Sequence, residues 1–392
     1  MQPKLLELHF SQLQSEWSIS KYNSYSDVRK KEYHQNLETI ISFLEREDFS
    51  KLDEDEIQQR NFVIFFVFKS LEFLNHSTTS TIPYELVYVL ELAMKEWAPE
   101  DEYIIVTSLV DGINGFSFDS FLTFFDHVYK VIELLYKVKF KHRLVQINLP
   151  ENISRDYLAN VVLYHELGHF VEKKHAITRV IYEELIKAIK GGVLPDADKK
   201  ELIRYFPYLG EPANVDFLEK NYGDYNIFAL HIAEYFCDLF ASQYIEGCSN
   251  DYLEYITQNQ SDYSTTHPST PNRIVFVNDH LGKKDGYLLK EYKRIIKEIT
   301  KLEIEKRAKD FTSNNFENLL PAEVEDPQQL HSLFIYGWKV WLSDWETFAK
   351  MAGIEFKMSS FNVYDIINNL IEKSIGNYIV KKEWEAAKAK IA

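Results

Sequence analysis

Residues 161–175 read VVLYHELGHFVEKKH, and the fold and chemistry of the chain turn on how this stretch is placed. In an α-helix, positions four apart differ by only about 40° of rotation, so His165 and His169 share one face. Two imidazoles one turn apart can reach the same tetrahedral metal ion, zinc being the ion that this arrangement suits. Glu166 lies one step round from His165, at the rim of such a site, where it can take a proton from an attacking water instead of ligating the metal. Gly168 weakens a helix interior and therefore needs a reason. Close approach of another backbone would supply one.

A metal held this way needs a third protein ligand. His175 follows His169 by six residues, the spacing of the HExxHxxGxxH pattern. Glu172 stands where that pattern has its helix-breaking glycine. In a continuing helix His175 is turned about 240° from His169, and the expectation is a solvent-facing side chain beside Lys173 and Lys174. The segment HIAEYFCDLFA (231–241) offers more. Glu234 and Asp238 are four apart, among apolar neighbours. Two carboxylates on a mostly buried helix must be paired, protonated or metal-bound. Glu234 would complete a His₂Glu set with an open fourth position, and Asp238 could hold a ligand histidine by its other ring nitrogen. A solvated Glu/Asp helix edge is the plain alternative. His231 is expected to be structural, and Cys237 to pack as a small apolar group rather than to ligate.

HELGH, then AEYFCDLFA (233–241), then THPSTPNRI (266–274), in that order, resembles the gluzincin metallopeptidases. It looks most like the branch containing the CAAX prenyl proteases and their soluble relatives. The resemblance covers about a third of the chain, from about Arg143 to Val277. It implies a zincin-like fold, with His165, His169 and Glu234 as zinc ligands, Glu166 as general base and Asp238 as the outer orienter. It also implies that His267 stabilises an oxyanion or donates a proton, and that Arg273 braces the loop or the site. Three features depart from the family: Cys237 where alanine is usual, the long gap from His169 to Glu234, and the absence of the prenyl proteases' membrane helices.

The rest of the chain bounds these readings. It has 392 residues, 45% of them apolar, with 27 Phe and 25 Tyr, so a large core is available. The net charge of −16 argues against a phosphate-binding surface, hence no nucleic-acid partner is expected. Two cysteines give no disulfide framework. The opening MQPKLLELHFSQLQSEW has no apolar run of signal-peptide length, and FVIFFVF (62–68) is far too short to span a bilayer. A cytoplasmic protein without a membrane partner is the expectation.

Periodicity predicts a mainly α (α+β) chain in three parts: a helical region over 1–95, a central α+β unit with a small sheet over 96–285, which the resemblance implies is a zincin-like metallopeptidase domain, and a helical region over 286–392. FSKLDEDEIQQRN (49–61) reads as a solvated turn, and EYIIVTSLV (102–110) as a strand. HRLVQINLP (142–150) reads as a strand near a sheet edge, and its RLVQINL part (143–149) either pairs with an extended peptide or is a plain structural edge strand. The segment from about Gly286 through LLKEYKRIIKEITKLEIEKRAKDF reads as continuous helix. The expected activity is zinc-dependent hydrolysis of a peptide or protein substrate. The competing reading is a regulatory or binding protein that keeps the fold and meets a regulatory partner through its helical flanks.

Overall fold

The computed structural model describes residues 2–78, 84–98, 102–112, 115–192, 194–221, 223, 226–257, 260–351 and 358–391. Among these the protein is mainly helical, with one three-stranded sheet. The chain contacts divide it into two compact units, residues 1–91 with 98–155 and residues 92–97 with 156–392. These divisions do not follow the expected boundaries near residues 95 and 285: the sheet falls in the first unit and the HELGH helix in the second.

In the first unit, α1 (Pro3–Ser20), α2 (Val28–Leu44) and α3 (Glu54–His76) precede α4 (Tyr84–Trp97), whose last residues count with the second unit. Then follow β1 (Tyr103–Val110), β2 (Ser117–Asp119), α5 (Phe121–Phe124), α6 (Asp126–Tyr136) and β3 (Arg143–Pro150). The expected turn at 49–61 is mostly helix. Asp53 accepts from Glu56 N at 2.9 Å while Glu56 accepts from Asp53 N at 3.0 Å, a capping box that starts α3 inside the acidic run. FVIFFVF lies within α3, and no described helix is long and apolar enough to cross a membrane.

The sheet order is β1-β3-β2, with β1 parallel and β2 antiparallel to β3. β3 is therefore the middle strand, not an edge. β2 covers it at Gln146–Asn148, so the docking role expected for this strand is not open along that stretch. Three residues are too few to show an alternating pattern, which is why β2 escaped notice.

In the second unit, α7 (Leu163–Lys174) and α8 (Ile177–Lys190) lead to α9 (Asp196–Tyr205), α10 (Pro212–Lys220) and α11 (Ile227–Ile245). They are followed by α12 (Cys248–Thr257), α13 (Thr270–Leu281), α14 (Tyr287–Thr300) and a short α15 (Asn314–Glu317). α16 (Gln329–Lys339), α17 (Trp345–Met351) and α18 (Ser360–Ile391) complete it. α14 stops at Thr300, where Lys301 adopts a left-handed φ of 64°, and residues 301–312 are irregular instead of helical.

α11 is the axis of this unit. It is apolar nearly all round, so burial on every side is its stable state, and every residue from His231 to Ile245 is buried. Asn226 caps it, accepting from the backbone N–H groups of Phe228 and Ala229. α7, α8, α12, α13 and α16 pack around it, with α7 making the most extensive contact.

Candidate metal centre

α7 lays His165 and His169 against α11. Their ring centroids are 5.1 Å apart and nearly perpendicular. His165 Nε2 lies 3.4 Å from Glu234 Oε2, and His169 Nε2 lies 3.4 Å from Glu234 Oε1. One buried carboxylate on α11 is thus flanked by both histidines of the HELGH segment. Its Oε2 is buried and accepts no hydrogen bond among the described residues, although His165 Nε2 and Arg273 Nη2 are both close. An oxygen left without a bond in a low-dielectric site is costly, and a cation between it and the imidazoles would relieve that cost.

Gly168 makes the approach possible. A Cβ at this position would sit 2.9 Å from Cys237 Cα and 3.1 Å from both Cys237 Cβ and Sγ. The neighbour is backbone and cannot rotate away. Gly168→Ala is therefore expected to destabilise the fold by about 1–3 kcal/mol through overpacking, against about 1 kcal/mol gained in helix propensity. Chemical denaturation checks this, and an alanine variant as stable as the parent would remove the packing explanation.

The outer groups form an ordered chain. His165 Nδ1 is 3.0 Å from Asp238 Oδ1. Arg273 on α13 donates to both Asp238 oxygens at 2.7 Å and approaches Glu234 Oε2 at 3.2 Å. Asp238 is 1% exposed and Arg273 4%, which makes the bidentate pair strong and its charges poorly screened. Burial opposes ionisation of both carboxyls, yet Arg273 and the imidazoles hold Glu234 well below the usual carboxylate range and Asp238 below it. Burial also opposes charge on His165, but Asp238 and Glu234 outweigh it and raise its pKa to about 10. Two buried carboxylates facing one guanidinium thus call for one more positive charge, which a proton on His165 or a metal ion can supply. The two compete for the same nitrogen lone pair.

Glu166 is almost fully buried, one step round α7 from His165, and its carboxylate makes no hydrogen bond or ion pair among the described residues. His267 lies in the loop before α13. Its ring is 57% exposed, and its Nε2 is 3.7 Å from Glu234 Oε1.

His175 is outside this group. It is the C-cap of α7, half-buried, with Nε2 2.7 Å from the Trp97 carbonyl oxygen, so the expected solvent-facing state is corrected. Cys237 is closer than expected. Its Sγ and one nitrogen from each of His165 and His169 lie within 4.8 Å of one another, and this donor group, found among the described residues, holds Cys237 and not the expected Glu234. Burial pushes its thiol well up, and Glu234 pushes it further, which opposes the thiolate a metal needs. The Glu234 carboxyl, held well below its usual range, lies 3.4 Å from both histidines.

His231 is structural, but in a specific way. Its Nδ1 is 3.1 Å from the Tyr208 hydroxyl and its Nε2 2.9 Å from the Ser264 carbonyl oxygen. Burial depresses its pKa to about 4, so it is neutral and bridges the two. Ser264 then folds the loop: its N–H donates to the His267 carbonyl, and its Oγ accepts from the His267 N–H at 2.9 Å. Neither Ser264 nor Thr266 was singled out from the sequence. The signal was the Ser-x-x-His spacing, which suits a hydroxyl-closed turn.

Comparison with family models, with curated proteins and with solved structures gave no match to this chain.

Proposed function

We propose that this chain is a zinc-dependent metallopeptidase of gluzincin type, with a zincin-like catalytic unit built on α7 and α11. The observation that carries the reading is the meeting of three ionisable side chains from two buried helices: His165 and His169 each 3.4 Å from an oxygen of Glu234. His₂Glu with a free fourth position is the donor set of catalytic zinc. Bound there, zinc lowers the pKa of a water toward ~7 and polarises a carbonyl.

The side chains do the rest. Glu166 takes a proton from the water that attacks the peptide carbonyl and returns it to the departing amine. His267, at the open side, donates from Nε2 to the carbonyl oxygen as negative charge develops. Asp238 fixes His165 through Nδ1, so that Nε2 faces Glu234, and Arg273 fixes Asp238. A peptide or protein is the substrate class.

The first test is metal content by elemental analysis on protein purified without a metal-binding tag, beside Glu234→Ala. About one zinc per chain in the parent, lost in the variant, is the expected result. Zinc retained by the variant would move the third ligand to Cys237 or elsewhere, and no zinc in the reconstituted parent would end the peptidase reading.

A further inference from the structure

The geometry points to an aromatic wall, made by Tyr255, Tyr364 and Trp341, as the subsite that selects the substrate: it takes a bulky apolar side chain, aromatic above all, of the bound peptide. This inference rests on the peptidase reading above and deepens it by naming which peptides the site takes. Tyr364 and Trp341 come from helices beyond the stretch that resembles the gluzincins.

The wall begins beside Glu166. Tyr252, 6% exposed on α12, has its phenol pushed up by burial and further by the nearby Glu166 carboxylate. α12 packs on the 3₁₀ turn Ala159–Val162, which leads into α7, and on α13, which carries Arg273. Tyr255 is one turn further along α12, its ring centroid 6.5 Å from that of Tyr252. Burial raises the Tyr364 phenol on α18, and Asp156 and Tyr255 raise it further, which places Tyr255 close to it. The Trp341 ring then lies 5.2 Å from Tyr364, at 68°. Tyr255 is 57% exposed, and Phe361, one turn before Tyr364 on α18, is 72% exposed.

The rings are fixed at their edges. The Tyr364 hydroxyl donates to Asp156 at 2.7 Å. Trp338, its ring 6.2 Å from Trp341, donates from Nε1 to the Leu158 carbonyl at 3.0 Å. Residues 156–158 directly precede the turn into α7, so the wall and the helix of His165 and His169 are tied to one stretch of backbone. Asp156 is engaged by Tyr364 and by the Ala159 N–H at 3.0 Å, which disfavours a basic side chain as the occupant. Ring faces with few rotamers hold a large apolar group at small entropic cost.

Trp341 is placed at the expense of stability. It sits in a π-turn, Val340–Asp344, between α16 and α17, and its Nε1 is buried without an acceptor among the described residues. A buried donor left unbonded is unfavourable. Single π-turns inside helices occur mostly at functional sites, and this one brings the indole against Tyr364.

A peptide library carrying Phe, Ala or Lys at each position near the cleaved bond tests this on the full zinc-loaded chain. Cleavage gives kcat/KM, and binding to Glu166→Gln gives affinity without cleavage. The parent is expected to favour Phe over Ala at one position by at least about tenfold, the lower end of what an apolar pocket yields for one methylene. Tyr255→Ala and Trp341→Ala are expected to bring that ratio toward one, and Tyr255→Phe, which keeps the ring, to retain it. Zinc content and circular dichroism guard against misfolding, a small risk at the exposed Tyr255. A ratio unchanged in Tyr255→Ala, or a preference for Lys, would overturn the apolar subsite while leaving the peptidase reading intact. Phe-selective binding that Tyr255→Ala removes, with no cleavage by the parent, would uphold the subsite and end the peptidase reading. A chain that neither binds nor cleaves the Phe peptides would overturn both.

Discussion

Glu166→Gln is expected to keep the fold and about one zinc per chain while turnover of a fluorogenic peptide library falls about 10²–10⁴-fold. Glutamine has nearly the shape of glutamate but cannot take a proton from water. Glu166 makes no hydrogen bond or ion pair among the described residues, so the substitution strands no partner. Stability should therefore hardly move, and a loss confined to kcat would assign the residue to the chemical step. Equal turnover in parent and variant would remove the general base and with it the peptidase mechanism. A chain that binds zinc tightly but cleaves nothing in either form would favour the regulatory alternative.

The helix carrying His165 and His169 was legible because spacing four apart is a property of any α-helix, and α7 and α11 occupy the expected segments. The Glu234/Asp238 pair was legible for a different reason. Carboxylates amid Ile232, Tyr235, Phe236, Leu239 and Phe240 are conspicuous, because burying them without partners is prohibitive. Gly168 was legible as a question, and Cys237 on α11 is the answer.

What failed was set by contacts distant in sequence or by single backbone angles. β2 is three residues long and covers a strand that read as an edge. The end of α14 rests on one left-handed residue, Lys301, inside a run rich in helix-forming Lys and Glu. His175 finds the Trp97 carbonyl 78 positions away, which no local pattern announces. The start of α3 was readable in principle. Asp53-x-x-Glu56 is a capping signature, obscured by the acidic composition around it.

The same distinction explains why Arg273 looks modest in sequence and central in the structure. In THPSTPNRI it is one basic residue in a polar loop. Folded, it donates hydrogen bonds to both Asp238 oxygens from α13, and it also approaches Glu234. Replacing it with methionine keeps much of the volume and removes the charge. Two carboxylates then remain buried without their cation, and breaking a buried ion pair on one side costs about 3–5 kcal/mol. The metal-free variant is expected to unfold at correspondingly lower denaturant. It should also be more acid-sensitive, and the direction follows from the carboxyls. In the parent, Glu234 and Asp238 titrate below the ordinary range of ~4. Their contribution to stability is therefore present above that range and is lost as pH falls below it. Without Arg273 both carboxyls titrate higher, and the loss begins at higher pH. Zinc adds two positive charges to the same cluster, so it should restore more stability to Arg273→Met than it adds to the parent. Denaturation curves with and without zinc, at pH 5 and pH 7.5, decide the matter. An equal zinc increment in both proteins would mean that the guanidinium and the metal do not serve the same pair of carboxylates.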